Sequence, residues 1–300
     1  MISDLEVVTP YRLDLTVSAL RRLRTNLVDV YTADGRYLRA FRGSTRPVIV
    51  SVTQPRPDGL LVSVTGRAAD AKPALAIVRR MLGVDRDVSE FHRRAGRILW
   101  LSPLARRLRG IKPPRCPTLF EAAVNAVTFQ QVSLHAASAI MRRVIRLLGT
   151  PVEHDGVPLA VFPTVEGFLG ATDAAIRATG MSTAKLATLR RVGEAIVAGT
   201  LSEPMLDELP SPEAALVLRG IKGIGPWTAA VILLRGFGRL DVFPENDSGV
   251  AASLKAVLSE QIDATGVVDA LRPQCGMLYF CLLLARLEAR GEIGLASVAP

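Results

Sequence analysis

The sequence of 300 residues has few of the side chains that bind metals or form disulfides: it contains three cysteines and three histidines. Cys116, Cys275 and Cys281 are scattered, and their spacing predicts neither a disulfide framework nor a zinc site. An iron–sulfur cluster needs four thiolates, so three cysteines exclude it. We therefore expect no cofactor, no metal held by side chains, and reduced thiols as in cytosolic proteins.

Long apolar runs and a secretory leader are also missing. The most apolar run, residues 277–285, is too short to span a bilayer and predicts a buried helix. The first ten residues, MISDLEVVTP, lack a basic region followed by an apolar stretch. These features predict a cytoplasmic protein without a membrane partner.

Acidic residues are outnumbered, with 28 Asp and Glu against 37 Lys and Arg, so the net charge is +9. This balance favours a polyanionic partner, nucleic acid first, although ordinary basic proteins share it. The hydrophobic fraction of 49% is enough for a substantial core. The length fits two domains better than one.

The first 94 residues have mixed patterns that predict an antiparallel sheet with helices on one face. The alternating or apolar segments that predict strands are residues 11–17, 27–31, 35–41, 47–53 and 60–65. Residues 33–35 predict a hairpin turn, and residues 72–82 an amphipathic helix. From residue 95 the chain is predicted to be nearly all helix, with residues 150–165 as a loop. The fold class is therefore α+β.

Most of the basic side chains in the helical part are predicted to face solvent. Arg106, Arg107, Arg109 and Lys112 predict a solvated face, with phosphate contact as the alternative. Lys185, Arg190 and Arg191 are predicted surface charges, and His92 receives no role.

A polar interruption separates two helical patterns near the middle of the chain. Thr118 and Glu121 predict a capping box at the start of the first helix. The pair Gln130-Gln131 is poor core material and predicts a polar turn before the second helix.

The most informative stretch is residues 211–258. Ser211 is predicted to cap a helix, the segment IKGIGP to form a tight hairpin, and Pro226 to begin a helix that Gly236 ends. A Gly-x-Gly turn that opens a helix presents backbone N–H groups and the positive end of a dipole, which suits a phosphate diester. About twenty residues further on, Asp247 precedes another helical pattern and suits an N-cap.

Together, the helix, the Gly-Ile-Gly turn, the second helix and Asp247 resemble the helix-hairpin-helix plus Gly/Pro-Asp motif of base-excision DNA glycosylases. The likeness is greatest to the 3-methyladenine DNA glycosylase II type, and residues 118–144 and 242–247 share it. The resemblance implies a lobe like TATA-binding protein in residues 1–94 and an all-α helix-hairpin-helix region in residues 95–300. The hairpin unit is then residues 211–236 and the catalytic loop residues 241–248.

The resemblance also implies roles for individual residues. Asp247 is the catalytic carboxylate, which stabilises an oxocarbenium-like sugar and orients or deprotonates water. Gln131 is the wedge that fills the gap left by a flipped base. The implied base pocket consists of Trp227, Gln130, Val231 and Leu283. The implied contacts to the DNA backbone are Lys222, Gly223, Ile224, Gly225 and Thr228. A monovalent cation is implied at the carbonyls of Arg219, Ile221 and Ile224.

The implied function is a monofunctional DNA glycosylase that removes alkylated bases and leaves an abasic site. Trp227 stands where bifunctional relatives carry a lysine nucleophile, so no lyase activity is expected. Ala19, Val231 and Leu283 replace aromatic pocket walls, which puts the substrate range in question. We expect a nucleoid-associated monomer on damaged double-stranded DNA. The alternatives are a non-catalytic structure-specific DNA-binding protein and a glycosylase for deaminated or oxidised bases.

Overall fold

The N-terminal lobe is built on a five-stranded antiparallel sheet, as the sequence predicted. The computed structural model describes residues 1–245 and 264–294. The strand order is β1-β5-β4-β3-β2. The elements of the lobe are β1 Ile2–Glu6, α1 Leu13–Arg21, β2 Val30–Tyr31, β3 Tyr37–Phe41, β4 Val48–Arg56, β5 Gly59–Thr65 and α2 Ala68–Met81.

Three predictions for the lobe differ from the structure. Residues 11–17 were predicted as a strand, but they lead into helix α1, because Leu13, Thr16, Val17 and Leu20 are all buried at helical spacing. The edge strand β1 was not predicted, since Leu5 is its one buried residue and gives no alternation. β2 is shorter than the predicted segment 27–31.

The rest of the chain is mostly helical. Its elements are α3 Ser89–Ala95, α4 Leu101–Arg107, α5 Leu119–Thr128, α6 Leu134–Leu148, β6 Thr150–His154, β7 Val157–Val161, α7 Val165–Gly170, α8 Asp173–Ala178, α9 Thr183–Val197, α10 Glu203–Glu208, α11 Ser211–Arg219, α12 Pro226–Phe237, α13 Ala264–Ala270 and α14 Gly276–Ala289. The predicted boundary between residues 94 and 95 falls in the last turn of α3. Across the described ranges, no helix has the length and apolar character that crossing a bilayer requires.

The predicted loop 150–165 is instead a β-hairpin. Its turn, Asp155-Gly156, has φ values of +50° and +75°, which favour a tight two-residue connection. The buried Leu159 and Val161 of β7 pack against Leu38 of β3. Contact with the lobe therefore stabilises a hairpin whose prolines and glycines resemble those of a loop.

Two predicted helix ends are displaced. α12 continues through Gly236. Glycine there lets α12 lie close to α5, because a Cβ would lie 2.8 Å from the Cβ of Ala122. The helix ends at Phe237 and is followed by Gly238 at φ +67°. Ser211 is the first helical residue of α11, not a capping residue, and its Oγ accepts from Arg239 Nη1 at 3.3 Å.

The predicted capping box at α5 is only half formed. Thr118 Oγ1 accepts from the Glu121 N–H at 3.2 Å, as expected. The Glu121 carboxylate instead accepts from Arg39 Nη2 at 2.6 Å. Arg39 is 1% exposed and also donates to Asp29 at 2.7 Å, where Tyr37 adds its hydroxyl at 2.8 Å. This buried ion network joins β3 of the lobe to α5.

Replacing Arg39 by Met should destabilise the protein by about 3–5 kcal/mol, because two buried carboxylates lose their cation. Burial already raises the pKa of Glu121 despite Arg39 beside it. A carboxyl group with a raised folded-state pKa contributes more stability below its unfolded pKa than above it. The deficit, measured by urea unfolding, should therefore shrink from neutral to acidic pH.

The matched control is Arg36→Met, which breaks two exposed ion pairs with Asp34 and Asp155. Exposed pairs contribute about 0–1 kcal/mol, so this variant should stay close to the wild type. Equal losses in the two variants would contradict the role given to the buried network.

Candidate functional site

A glutamine side chain connects the turn after α5 to the hairpin between α11 and α12. Gln130 Nε2 donates to Thr228 Oγ1 at 2.6 Å and to the Gly223 carbonyl at 3.2 Å. The structure thus brings Gln130 to two other predicted site residues, Gly223 and Thr228, which lie 93 and 98 positions further along the chain. The Gln130 amide holds the turn and the hairpin as one unit; its place in a base pocket stays a prediction.

Helix α9 contacts both the turn after α5 and the hairpin between α11 and α12. Lys185 Nζ donates to the carbonyls of Thr128 at 2.9 Å and Gln130 at 2.8 Å. Arg191 Nη1 donates to the Lys222 carbonyl at 3.2 Å, and Thr188 lies against Gly223. Lys185, Thr188 and Arg191 are spaced by three residues and share one helix face.

The sequence analysis missed these contacts of α9 and predicted Lys185 to be a surface charge. Lys185 is half-buried, and burial lowers its pKa. Its ammonium binds carbonyls at the C-terminal end of α5, where the negative end of the helix dipole favours a cation. The three-residue spacing from Lys185 to Thr188 to Arg191 was the signal available in the sequence. Arg190 is also structural, because its guanidinium donates to the carbonyls of Leu169 and Ala171.

The two hairpin glycines have different surroundings. Gly223 has φ +102°, and a Cβ there would lie 1.9 Å from Thr188 Oγ1. Gly225 is extended, with φ −89°, and a Cβ there would meet nothing within 4 Å. Gly223 therefore permits close packing on α9, whereas Gly225 leaves open space in front of α12.

The open end of α12 has the properties of an anion site. Gly225 is the N-cap and no side chain caps the helix, while Pro226 occupies the first turn. Uncapped N–H groups and the helix dipole attract anions. The exposed side chains of Lys222 and Arg191 add positive charge beside this end.

The other residues predicted to contact DNA anchor the hairpin. Thr228 is buried and its hydroxyl is engaged by Gln130. Ile224 is buried in the helical core, and its N–H donates to the Ile221 carbonyl at 3.0 Å. That bond uses one lone pair of the Ile221 oxygen and leaves the second for a cation. The proposed cation site at Arg219, Ile221 and Ile224 stays a prediction.

The predicted base-pocket residues fall into two neighbouring cores. Trp227 is half-buried against the core that contains Val231, which is 1% exposed. Leu283 is half-buried on α14 against a second core, which contains Ala19. Phe129, directly before Gln130, packs against both cores. Phe129 was not selected from the sequence, although its position beside Gln130 was a usable signal.

Two buried arginines lie next to these positions. Arg22, at φ +62°, places its Cζ 3.8 Å from the centroid of the Phe129 ring. Arg235 Nη2 donates to the carbonyls of Ala19 at 3.1 Å and Leu20 at 3.0 Å. Within residues 1–245 and 264–294, Nη1 of both arginines is buried without a hydrogen-bond partner. Burial, and then repulsion from Arg235, lowers the pKa of Arg22 to about 10.

The predicted wedge residue occupies the tip of the turn. Gln131 is exposed and has φ +53°, a left-handed conformation that is uncommon outside glycine. Such conformations cluster at functional sites.

Asp247 lies outside the described residues, but the chain that approaches it is fixed. The Gly276 N–H donates to the Leu240 carbonyl at 2.7 Å. A Cβ on Gly276 would lie 2.8 Å from the Val242 carbonyl, so glycine permits this approach to α14. Cys275 Sγ contacts the Asp241 carbonyl at 3.4 Å. All three cysteines are buried, and burial raises the pKa of Cys116 and Cys281 to about 12.

Comparison with known proteins agrees with this arrangement. Residues 124–267 match the family model described as HhH-GPD superfamily base excision DNA repair protein. The chain is 29% identical to DNA-3-methyladenine glycosylase 2 of Escherichia coli over 217 residues, which cover 72% of this chain and 74% of that protein. The resemblance to helix-hairpin-helix base-excision DNA glycosylases that the sequence predicted is therefore confirmed.

Two further likenesses extend the comparison. A probable bifunctional transcriptional activator/DNA repair enzyme AlkA of Mycobacterium tuberculosis is 33% identical over 232 residues, or 74% of this chain. The chain spans 44% of the length of that relative. The solved structure of a 3-methyladenine DNA-glycosylase from Archaeoglobus fulgidus superposes with a TM-score of 0.78, at 24% identity, over 96% of this chain and 99% of the other. This superposition confirms the predicted α+β fold.

The contrast between the two glycines is testable by alanine substitution. Gly223→Ala should cost about 1–3 kcal/mol of stability, because alanine is strained at positive φ and its methyl group meets Thr188. Gly225→Ala should change stability by less than about 0.5 kcal/mol, since the added methyl group points into open space. Urea unfolding of both variants measures the difference. Similar losses in both would show that the packing of Gly223 on α9 is not the constraint.

Proposed function

We propose that the protein is a monofunctional DNA glycosylase that removes damaged bases from double-stranded DNA. The observation that carries the proposal is the bond from Gln130 to the hairpin, which fixes the exposed turn at Gln131 beside the open end of α12. A wedge and a phosphate site held in one rigid unit suit an enzyme that extrudes a nucleotide. A protein that only binds duplex DNA has no need of the wedge.

Binding begins at the phosphate backbone. The α12 end, Lys222 and Arg191 supply positive potential, and Gly225 lets a phosphate diester approach the backbone closely. The net charge of +9 supports the same partner. We expect a monomer to be sufficient, because one chain carries the wedge, the hairpin and Asp247. A chromosomal substrate places the protein at the nucleoid.

Base extrusion follows at the turn. Unstacking costs a few kcal/mol, and less at a damaged pair, so the site selects lesions partly by how easily they flip. Gln131, which is exposed at the tip of the turn, fills the vacated position. Trp227, half-buried at the start of α12, offers a face on which the flipped base stacks.

The chemical step is assigned to Asp247. Cleavage of the N-glycosidic bond develops positive charge on the sugar, which a carboxylate stabilises while it orients or deprotonates water. An N-alkylated purine leaves readily because it is already cationic. Trp227 provides no amine for a Schiff base, so the product is an abasic site on an intact strand. This chemistry uses no cofactor.

The first test is release of free base from methylated duplex DNA by the wild type and Asp247→Asn. The variant should lose at least about a hundredfold in rate, since the carboxylate stabilises charge in the transition state, while DNA affinity persists. Glu245→Gln, an exposed acid two residues earlier, is the matched control and should keep its activity. Strand nicking is followed without alkali. Release that persists in Asp247→Asn, or direct nicking by the wild type, would overturn the assignment.

The buried arginines favour a second substrate class, neutral deaminated or oxidised bases. Ala19 and Arg22 are one turn apart on the same chain segment, as are Val231 and Arg235 on α12. The predicted pocket walls therefore lie next to two guanidinium groups with unpaired N–H donors. Guanidinium groups repel a cationic base and pair well with purine acceptors such as O6 and N7. Hypoxanthine, a neutral base with a carbonyl, fits this environment better than a methylated cation.

Arg22→Met should reduce release of hypoxanthine by about ten- to a hundredfold relative to release of 7-methylguanine, because a hydrogen bond from a buried charged group is lost. The ratio of the two rates does not depend on the folded fraction of the variant. Arg24→Met, an exposed arginine nearby, should leave the ratio unchanged. An unchanged ratio in Arg22→Met would remove Arg22 from substrate selection and favour alkylated bases as the main class.

A further inference from the structure

A cavity of about 330 Å3 lies between the N-terminal lobe and helices α3 and α4, and none of its lining residues belongs to the hairpin unit. The loop after β1 forms one wall with Thr9 and Pro10. The rest of the lining includes a basic set of side chains, His92, Arg93, Arg106, Arg109 and Lys112, of which Arg93 is already paired with Glu90. The cavity lies at the small end of the range of ligand sites, about 300–1,000 Å3. Interfaces between domains are a common place for such sites.

Lys112 is the fixed element of the cavity. The sequence analysis assigned it to a solvated face, but it is 1% exposed. Its backbone N–H donates to Thr16 Oγ1 at 3.1 Å, and its Nζ donates to the Arg86 carbonyl at 2.9 Å. An ammonium group has three donors, so two remain after this bond. A lysine ordered in this way loses little further entropy when it binds an anion.

The positive charges act together inside the cavity. Burial, and then the charges of Arg109 and Lys112, lowers the pKa of His92 to about 4. The imidazole therefore senses both cations and stays neutral at physiological pH. Its Nε2 is buried and has no partner among the described residues. The acidic lining residue, Asp87, already accepts bonds from Ser89 N at 2.8 Å and Ser89 Oγ at 3.0 Å.

We propose that this cavity binds a phosphate monoester through Lys112, Arg106 and Arg109. A monoester carries nearly two negative charges at neutral pH and three acceptor oxygens. Arginine and lysine match those oxygens with charge-assisted hydrogen bonds. A backbone diester carries one charge and cannot enter a recess of this size without its flanking sugars. The monoester belongs either to a free nucleotide or to the 5′ end of a DNA strand.

The three histidines make the site directly observable by NMR of the ring protons. Inorganic phosphate, added to the 300-residue chain, should shift the His92 resonances saturably. His135 and His154 lie outside the cavity lining and serve as internal references. A saturable shift at His92 alone supports the site. No shift, or equal unsaturable shifts at all three histidines, would overturn it.

Variants at exposed positions test the charges without disturbing the core. Arg106→Gln combined with Arg109→Gln should weaken phosphate binding about tenfold or more, because two charge-assisted contacts are lost. Arg107→Gln is the control, since Arg107 is exposed on α4, pairs with Glu288 and does not line the cavity. Equal weakening by this control would show diffuse attraction instead of a site.

The source of the phosphate is distinguished by competition. Adenosine monophosphate, and duplex oligonucleotides with either a 5′-phosphate or a 5′-hydroxyl, are each added to the phosphate-bound protein. Displacement by the 5′-phosphorylated duplex alone identifies a DNA end, and displacement by the nucleotide alone identifies a small molecule. Equal displacement by the 5′-hydroxyl duplex would overturn the monoester assignment. None of these readouts depends on base excision.

Discussion

The buried pairing of Arg39 with Asp29 and Glu121 is the constraint on which the arrangement of this protein depends. It joins the central sheet of the lobe to α5, and the C-terminal end of α5 becomes the turn that carries Gln130 and Gln131. A charge enclosed this completely is stabilising only while its partners are in place. The lobe therefore does more than cover the helical region: its β3 fixes the helix that positions the turn.

From that turn, a short series of polar bonds defines the site. Lys185 holds the end of α5, Gln130 reaches the hairpin, and Arg191 holds the hairpin from the other side. Each of these side chains bonds to a backbone carbonyl, so the geometry depends on main-chain positions that apolar packing already fixes. A pre-organised surface of this kind loses little conformational entropy on binding, which favours the proposed contact with DNA.

Positive charge is used in three separate ways in this chain. The exposed charge beside α12 attracts a polyanion, whereas Arg22 and Arg235 are enclosed near the predicted base pocket. A third group surrounds the cavity at Lys112, on the boundary of the lobe. The net charge alone suggested one role, contact with phosphates. Burial separates the three, because a desolvated cation selects its partner by hydrogen bonding, whereas a solvated one acts mainly through long-range attraction.

Local patterns in the sequence were enough to predict most of the helices and strands and the resemblance to helix-hairpin-helix glycosylases. These patterns act over a few positions: glycine and proline predicted the hairpin, the Gln130-Gln131 pair predicted the polar turn, and apolar alternation predicted most strands of the lobe. Tertiary structure decided what local patterns leave open: α1 in place of a strand, the β6–β7 hairpin in place of a loop, and Glu121 turned from its own helix to Arg39. It also decided that Lys185 and Lys112 are not surface charges. The physical reason is that burial and ion pairing depend on residues far apart in sequence, and their free energies exceed the fractions of a kcal/mol that local propensity supplies.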